Sequence, residues 1–323
     1  MDIDLTNATT EDISQNILRP QSFNDYIGQS ELVDKLKIAI KASRERGDAL
    51  DHILLTGPPG LGKSSLAKVI SKECGTNYRE VAAPSIRSTA DVIGILKQVE
   101  DCGVLFLDEC HGLNIRVEET LYTAMEDFAI SVKINNNSIV NIPVSNFCLI
   151  GATTSPGKMS GPFRDRFGIQ HTMQFYIVEE LSHIVKANMI KLNLNYDESV
   201  VNDIAKRSRG TPRIVNRLLR RIRDYAQLNN NNYVDKNIVN KALDLEGVDK
   251  DGLTKIDKRY IEKIWNVFAG GPAGINAIAS SCGDDKTTLE ESVEPYLVRI
   301  GLISRTSKGR MLTNQGVKLA MRL

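Results

Sequence analysis

Residues 57–64 read Gly-Pro-Pro-Gly-Leu-Gly-Lys-Ser, the spacing G-x-x-x-x-G-K-[ST], directly after the apolar stretch His52–Thr56 and before a helix-forming run. A glycine-rich turn entering a helix lets successive backbone N–H groups close around dense negative charge, aided by the positive helix end. The pattern therefore implies a nucleoside triphosphate site. Gly57, Gly60 and Gly62 keep side chains out of the way, Lys63 reaches the β and γ oxygens, and the Ser64 hydroxyl suits Mg²⁺. Val104-Leu105-Phe106-Leu107-Asp108-Glu109 supplies the acidic partner that turns binding into hydrolysis. The strand is apolar to its tip, so two acids there need a cation or water: Asp108 to hold the Mg²⁺ shell and Glu109 to orient the attacking water.

These residues must be held by an alternation of elements, which the sequence shows from about residue 30 to 175. Helices are predicted at Glu31–Arg46, after the P-loop to Glu73, at Thr89–Val99 and at Arg116–Asp127. Strands are predicted at Asn77–Ala83, Gly103–Leu107 and Phe147–Ala152. Such alternation predicts an α/β domain with a parallel sheet and ligands at the carboxyl ends of its strands. From Glu179 to Leu245 the strands vanish and a helical domain is expected. After about Gly252, three helical segments precede two strand-like pieces, Ile300–Arg305 and Arg310–Thr313, that pair across Thr306–Gly309 as a wing. Thr287 and Glu290 read as a capping box for the third helix. The expected domains are 1–176, 177–249 and 250–323. Asn135–Asn137 and Asn229–Asn232 read as loop tips.

Composition narrows the classes further. With 41 Lys and Arg against 40 Asp and Glu, the net charge of +1 across 323 residues gives no global pull toward nucleic acid or membrane, so any electrostatic footprint is local. Five scattered cysteines without C-x-x-C spacing argue against a disulfide framework or zinc site and fit a reducing cytoplasm. The start, Met1-Asp2-Ile3-Asp4, is acidic, and no run approaches a membrane span.

Seven motifs in one order then carry a resemblance that runs almost end to end. They are Leu18-Arg19-Pro20 with Phe23-x-x-Tyr26-Ile27-Gly28-Gln29; the P-loop; Leu121-Tyr122-x-Ala124-Met125-Glu126-Asp127-Phe128; Ile150-Gly151-Ala152-Thr153-Thr154; Arg164-Asp165-Arg166-Phe167-Gly168-Ile169; Arg207-x-Arg209-Gly210-Thr211-Pro212-Arg213 with its continuation to Arg221; and Gly270-Gly271-Pro272. The chain resembles an AAA+ ATPase and, within that class, the RuvB family, the motor subunit of bacterial Holliday-junction branch migration. The resemblance implies an AAA+ P-loop domain, an all-α lid and a C-terminal winged helix. It also implies ATP and Mg²⁺ as ligands, and a cytoplasmic, hexameric ring that draws double-stranded DNA through its centre.

Residue roles follow from the same likeness. Leu18, Arg19, Tyr26 and Ile27 would line the adenine pocket, where apolar and aromatic walls suit a base. Ser64 and Ser65 stand where Thr-Thr is commoner and keep the metal-binding hydroxyl. Thr154, with Thr153 as the alternative, matches the sensor of γ-phosphate. Arg166, ahead of Arg164, matches an arginine finger delivered to a neighbouring subunit's nucleotide, against the plain reading of an ion pair with Asp165. Arg213, aimed by the rigid helix start at Pro212, matches the second sensor. Glu126, Asp127, Phe128 and Tyr176 match nucleotide-proximal positions. Arg305 and Arg310 on the wing match DNA contacts, and Lys286 falls where the family commonly has arginine. The basic run from Lys206 to Arg223 reads as a solvated face or as intersubunit and phosphate-sensing charge rather than a DNA surface. His111 completes an Asp-Glu-x-His string of little weight, while His52, His171 and His183 read as structural.

The main departure from the family is the stretch Ala129–Asn146, a shorter hairpin with an asparagine tip. In the family this hairpin docks a RuvA-type junction-recognition subunit, so weaker docking of a typical partner is expected, with Ile134, Ile139 and Ile142 as candidate anchors. Two other classes compete with the motor: an ATP-dependent loading or assembly switch on DNA, of clamp-loader or initiator type, and a protein-remodelling chaperone. The basic wing and the lack of an aromatic pore loop argue against the chaperone.

Overall fold

The computed structural model of the chain describes residues 17–135 and 138–323, without the side chains of residues 133–138. Asn136 and Asn137 of the expected tip, the Ile134 side chain and the acidic start Met1–Asp4 lie outside that description. Two compact units emerge, one comprising residues up to Ile184 together with Thr211–Arg213, the other Val185–Gly210 and Ile214–Leu323.

The first unit is built on a parallel sheet in the order β2-β3-β6-β1-β7: Tyr78–Ala82, Gly103–Asp108, Phe147–Thr153, Ile53–Thr56 and Ile169–Thr172. The three central strands are apolar runs buried along their length up to the half-buried Asp108, since helices cover both faces. The edge strands β2 and β7 carry half-buried and exposed positions. Register sets the site. Thr56 pairs with Thr153 on one side and Thr172 on the other, and Ala82 pairs with Asp108, so the strands present their carboxyl ends together.

Local chemistry starts the covering helices. Ser88 and Asp91 form a reciprocal capping box for Thr89–Leu96, and the Asn114 side chain accepts from the Val117 N–H to open Ile115–Asp127. Leu54, Leu105 and Leu149 of the sheet pack with Val117, Leu121 and Phe163 in one core. The hairpin leaves the end of Ile115–Asp127 as antiparallel strands β4 (Ala129–Asn135) and β5 (Ser138–Pro143), with an irregular register between Lys133 and Asn135.

In the second unit the helices Glu198–Arg207 and Lys236–Leu245 flank the long helix that ends at Asn229. The expectation of no strands here is corrected by one short parallel pair, β8 (Asn195–Tyr196) with β9 (Tyr233–Val234). Lys255–Phe268, Ile275–Cys282 and an irregular third helix pack around Tyr260, Ile264, Ile278 and Leu297. The wing follows as β10 (Ile303–Thr306) and β11 (Gly309–Leu312), joined through Ser307 and Lys308. The third helix does not start on Thr287. Asp285 is its N-cap, accepting from the Thr288 N–H at 2.9 Å, and a π-helical turn at Leu289–Val293 interrupts it. An aspartate two residues earlier outcompetes a threonine because its carboxylate is the stronger acceptor for an orphan N–H.

The basic run is not uniformly solvated either. Arg207 is buried, donating to both Asp203 oxygens at 3.1 and 3.0 Å and to Asn240 at 2.8 Å. Arg209 pairs with the fully buried Asp257, donates to the Gly252 carbonyl at 2.7 Å and stacks 4.8 Å from the Tyr296 ring centre. Both arginines serve the packing of this unit.

Candidate active site

At the carboxyl end of the sheet, the P-loop turns on left-handed glycines. Gly60 has φ 82°, and a Cβ there would stand 3.0 Å from the Cβ of Arg213, while one at Gly57 would stand 2.9 Å from the Met173 carbonyl oxygen. No larger residue fits either place without displacing backbone or the arginine. Gly62 caps the helix Lys63–Cys74 without a side-chain acceptor, so the first N–H groups of that helix point into the loop. Lys63 folds over this cradle, donating to the carbonyls of Gly57 at 2.8 Å and Pro58 at 2.9 Å. Burial lowers the pKa of its ammonium, Asp108 opposes that shift, and the positive charge of Arg213 adds to it. Lys63, Asp108 and Arg213 thus form one electrostatic group around the loop.

Asp108 ends β3 and accepts the Glu109 N–H at 3.0 Å. Glu109 has φ 52°, a left-handed conformation uncommon outside glycine, and its carbonyl accepts from the Gly112 N–H at 2.7 Å. The turn so fixed leaves the Glu109 side chain exposed at the strand end. Such local strain is typical of residues held for function. Ser64, in the first helical turn, and Asp108 offer a hydroxyl and a carboxylate, the hard oxygen donors that Mg²⁺ selects.

Of the two threonines at the end of β6, Thr153 is buried, hydrogen-bonds with His111 Nδ1 at 3.0 Å and accepts from the Ser155 N–H at 3.0 Å. Thr154 is exposed. His111 therefore belongs to the site's frame, a link between β3 and β6 that four letters of sequence could not show. Tyr26 and Tyr176 are buried side by side against the loop: the Tyr176 hydroxyl donates to the Leu61 carbonyl at 3.3 Å and lies 3.5 Å from that of Tyr26. Burial pushes both phenols up, Tyr176 to about 12. Leu18 is buried, and Arg19 and Ile27 are half-buried. Gln29, in the sequence only the last residue of a motif, is a structural tie. Its amide donates to the Gln174 carbonyl at 2.7 Å and accepts the Gln174 N–H at 3.1 Å, tying the N-terminal arm to the segment that carries Tyr176.

Arg166, Glu126, Asp127 and Phe128 lie elsewhere, at the amino end of the same sheet. Ile169, three residues past Arg166, begins β7 opposite Ile53, the first residue of β1, whereas the P-loop follows the last. Arg166 pairs with Glu126 at 2.6 Å and stands 5.9 Å from the Tyr122 ring centre, rather than pairing with Asp165. Phe128 meets Phe147 edge-on. A cleft of about 360 Å³ opens here, lined by His52, Met125, Phe128, Phe147 and Arg166.

In the winged helix the two wing arginines differ. Arg305 is half-exposed and donates from Nε to Glu294 at 2.6 Å. Arg310 is largely covered, holding Glu294 at 2.9 Å and Glu290 at 2.8 Å. Glu294 is fully buried and also accepts from the Tyr260 hydroxyl at 2.6 Å. Lys286 is exposed, 3.9 Å from Glu290.

The placement of β6 between the P-loop strand and the acid-bearing strand, with a helical region after the sheet, makes this protein a P-loop ATPase of the AAA+ class. Residues 18–173 match the family described as Holliday junction DNA helicase RuvB P-loop domain, 176–249 the RuvB AAA lid domain, and 250–320 the RuvB C-terminal winged helix domain. The Holliday junction branch migration complex subunit RuvB of Trichormus variabilis is 46% identical over 304 residues, 93% of this chain and 83% of that protein. Its counterpart in Ligilactobacillus salivarius is 43% identical over 306 residues, 94% and 91% of the two chains. The solved structure of the Thermotoga maritima RuvB Holliday junction branch migration motor superposes with a TM-score of 0.84 at 40% identity, covering 94% of this chain and 97% of that one. The chain belongs to the RuvB family.

Proposed function

We propose that this protein is an ATP-driven motor that moves double-stranded DNA to promote Holliday-junction branch migration, working as a ring, by family likeness a hexamer. The reading is carried by one observation: Lys63, Asp108 and Glu109 stand at the carboxyl end of the sheet while Arg166 stands at its amino end, so the finger can serve only another copy's nucleotide. In this reading Lys63 and the helix N–H groups bind the phosphates, with Gly60, Gly62, Ser64 and Ser65 shaping the cradle. Tyr26, Tyr176, Leu18, Arg19 and Ile27 wall the base. Ser64 and Asp108 would hold Mg²⁺, which when bound neutralises charge on the phosphate oxygens. Glu109 aligns water, Thr154 or Thr153 senses the γ-phosphate and Arg213 reports nucleotide state. Arg166 acts across the interface from beside Glu126, Asp127 and Phe128.

The proposed domains are 1–176, 177–249 and 250–323, the last contacting DNA through Arg305 with Lys286 and Arg310 near it. A RuvA-type subunit is the proposed partner of the β4–β5 hairpin, where Ile139 and Val140 are exposed. No helix among the described residues is long and apolar enough to cross a membrane, and all five cysteines are free, which supports the cytoplasm as its compartment. The deciding experiment is strand exchange on a four-way junction, with and without a junction-binding partner. ATP-dependent junction movement, lost in Lys63→Ala, is expected. DNA-stimulated hydrolysis that moves no junction would favour a loading switch.

A further inference from the structure

His52 joins the two halves of the mount that carries Arg166. Its imidazole is half-buried just before β1. The Leu149 N–H donates to Nδ1 at 2.9 Å, so Nδ1 is the acceptor and the ring proton sits on Nε2, which donates to the Met125 carbonyl at 3.2 Å. Burial lowers its pKa, which favours this neutral form. The ring also packs 5.4 Å from Phe147, centre to centre. Met125 lies in the last turn of Ile115–Asp127, and the next residue, Glu126, holds the Arg166 guanidinium at 2.6 Å. The backbone of His52 serves the other half: its carbonyl accepts the Ile169 N–H at 3.1 Å, which pins the chain three residues after Arg166. The next residue, Gln170, donates to the carbonyls of Arg164 at 3.1 Å and Phe167 at 3.3 Å and closes the turn.

We infer that His52 is a positioning residue for the arginine finger, setting by its two ring hydrogen bonds the place from which Arg166 reaches a neighbouring copy's nucleotide. The inference rests on the proposal that Arg166 acts in trans. A finger is worth about 10³ to 10⁵ in rate where such fingers are known, and displacing a reacting group by about 1 Å costs on the order of a hundredfold. Removing one anchor of the mount therefore slows turnover without touching the nucleotide-binding loop of the same chain.

The test compares His52→Asn, too short to span both partners, with His52→Gln, which keeps one donor and one acceptor on a longer stem. His52→Asn is expected to bind ATP normally, to hydrolyse it on the order of tenfold more slowly as a homogeneous assembly, and to recover when mixed with Lys63→Ala subunits, whose own fingers are intact. His52→Gln should keep most of the turnover. A merely structural defect would stay with the mutant subunit. Full turnover by His52→Asn, or a deficit that mixing leaves in place while that of Arg166→Ala is restored, overturns the inference. If mixing restores neither variant, the trans role of Arg166 falls, and this role for His52 with it. Should His52→Asn fail to assemble, His52→Gln carries the test: full turnover, or a deficit restored by mixing, supports the mount, and a deficit that mixing does not restore overturns it.

Discussion

At the residue scale, hydrolysis divides into groups that hold and groups that time. Lys63 is integral to the cradle, so Lys63→Ala is expected to abolish nucleotide binding. The Glu109 side chain is exposed at the strand end, next to Asp108, so Glu109→Gln should bind ATP and lose turnover. Separate measurement of ATP affinity and of hydrolysis under single-turnover conditions checks both, and full hydrolysis by Glu109→Gln would remove that acid from the mechanism. Arg166 makes a third case. Arg166→Ala should assemble and bind ATP yet hydrolyse it about 10³-fold more slowly, with activity recovered on mixing with Lys63→Ala. No recovery in assemblies shown to be mixed would place the arginine outside the interface.

At the scale of elements, the wing is a sheet pinned to its helices by charge. Glu294, fully buried, gathers Tyr260, Arg305 and Arg310, and a buried carboxylate stripped of a partner is costly. Arg310→Ala should therefore destabilise the second unit by about 2 kcal/mol or more, read as a lower melting temperature, before any effect on DNA is interpreted. Arg305 and Lys308 are exposed enough to meet phosphate. Lys308→Ala should keep the melting temperature, whereas adding Arg305→Ala also strips a partner from Glu294 and should lower it; below that temperature the pair should weaken duplex binding alike for all sequences and lower the steepness of its salt dependence by about 2 in log–log slope. An unchanged slope would move DNA contact to other cations. The hairpin is the other element open to test. Among its described side chains Ile139 and Val140 are the exposed apolar ones, whereas Ile130 is buried at its base. Titration with a junction-subunit domain from a relative is expected to show binding at least about tenfold weaker than that relative's own pair, since one lost anchor costs about 2 kcal/mol. Tight binding abolished by Ile139→Asp would instead show family-style docking.

At the scale of the whole molecule, the proposed division, with the nucleotide site at one end of the sheet and the finger at the other, predicts that hydrolysis is a property of assembly. ATPase rate per chain should rise with protein concentration and level off where rings are complete, as followed by light scattering on the same samples. Arg166→Ala should assemble along the same curve while its rate stays flat. A per-chain rate independent of concentration through the assembly range would show that a lone copy is complete.

Much of this protein is legible in its sequence because the chemistry is contiguous. The P-loop is eight consecutive residues between a strand and a helix, and the acid pair ends an unbroken apolar run, so local periodicity alone locates β1, β3, β6 and the helix Lys63–Cys74 within a residue or two. Arrangement across the sheet is another matter. That Glu126 meets Arg166, that His52 bridges Met125 and Leu149, that His111 meets Thr153 and that Glu294 claims Arg310 are decided by strand order and register. Residues remote in the chain meet there because packed strands leave them one place to go, and no local period records which distant partner that will be. The burial of Arg207 and Arg209 has the same origin, whereas the cap on Asp285 in place of Thr287 is settled locally by the stronger acceptor. A charged or polar side chain looks the same in sequence whether it faces water or a buried carboxylate, and only the packing around it decides which.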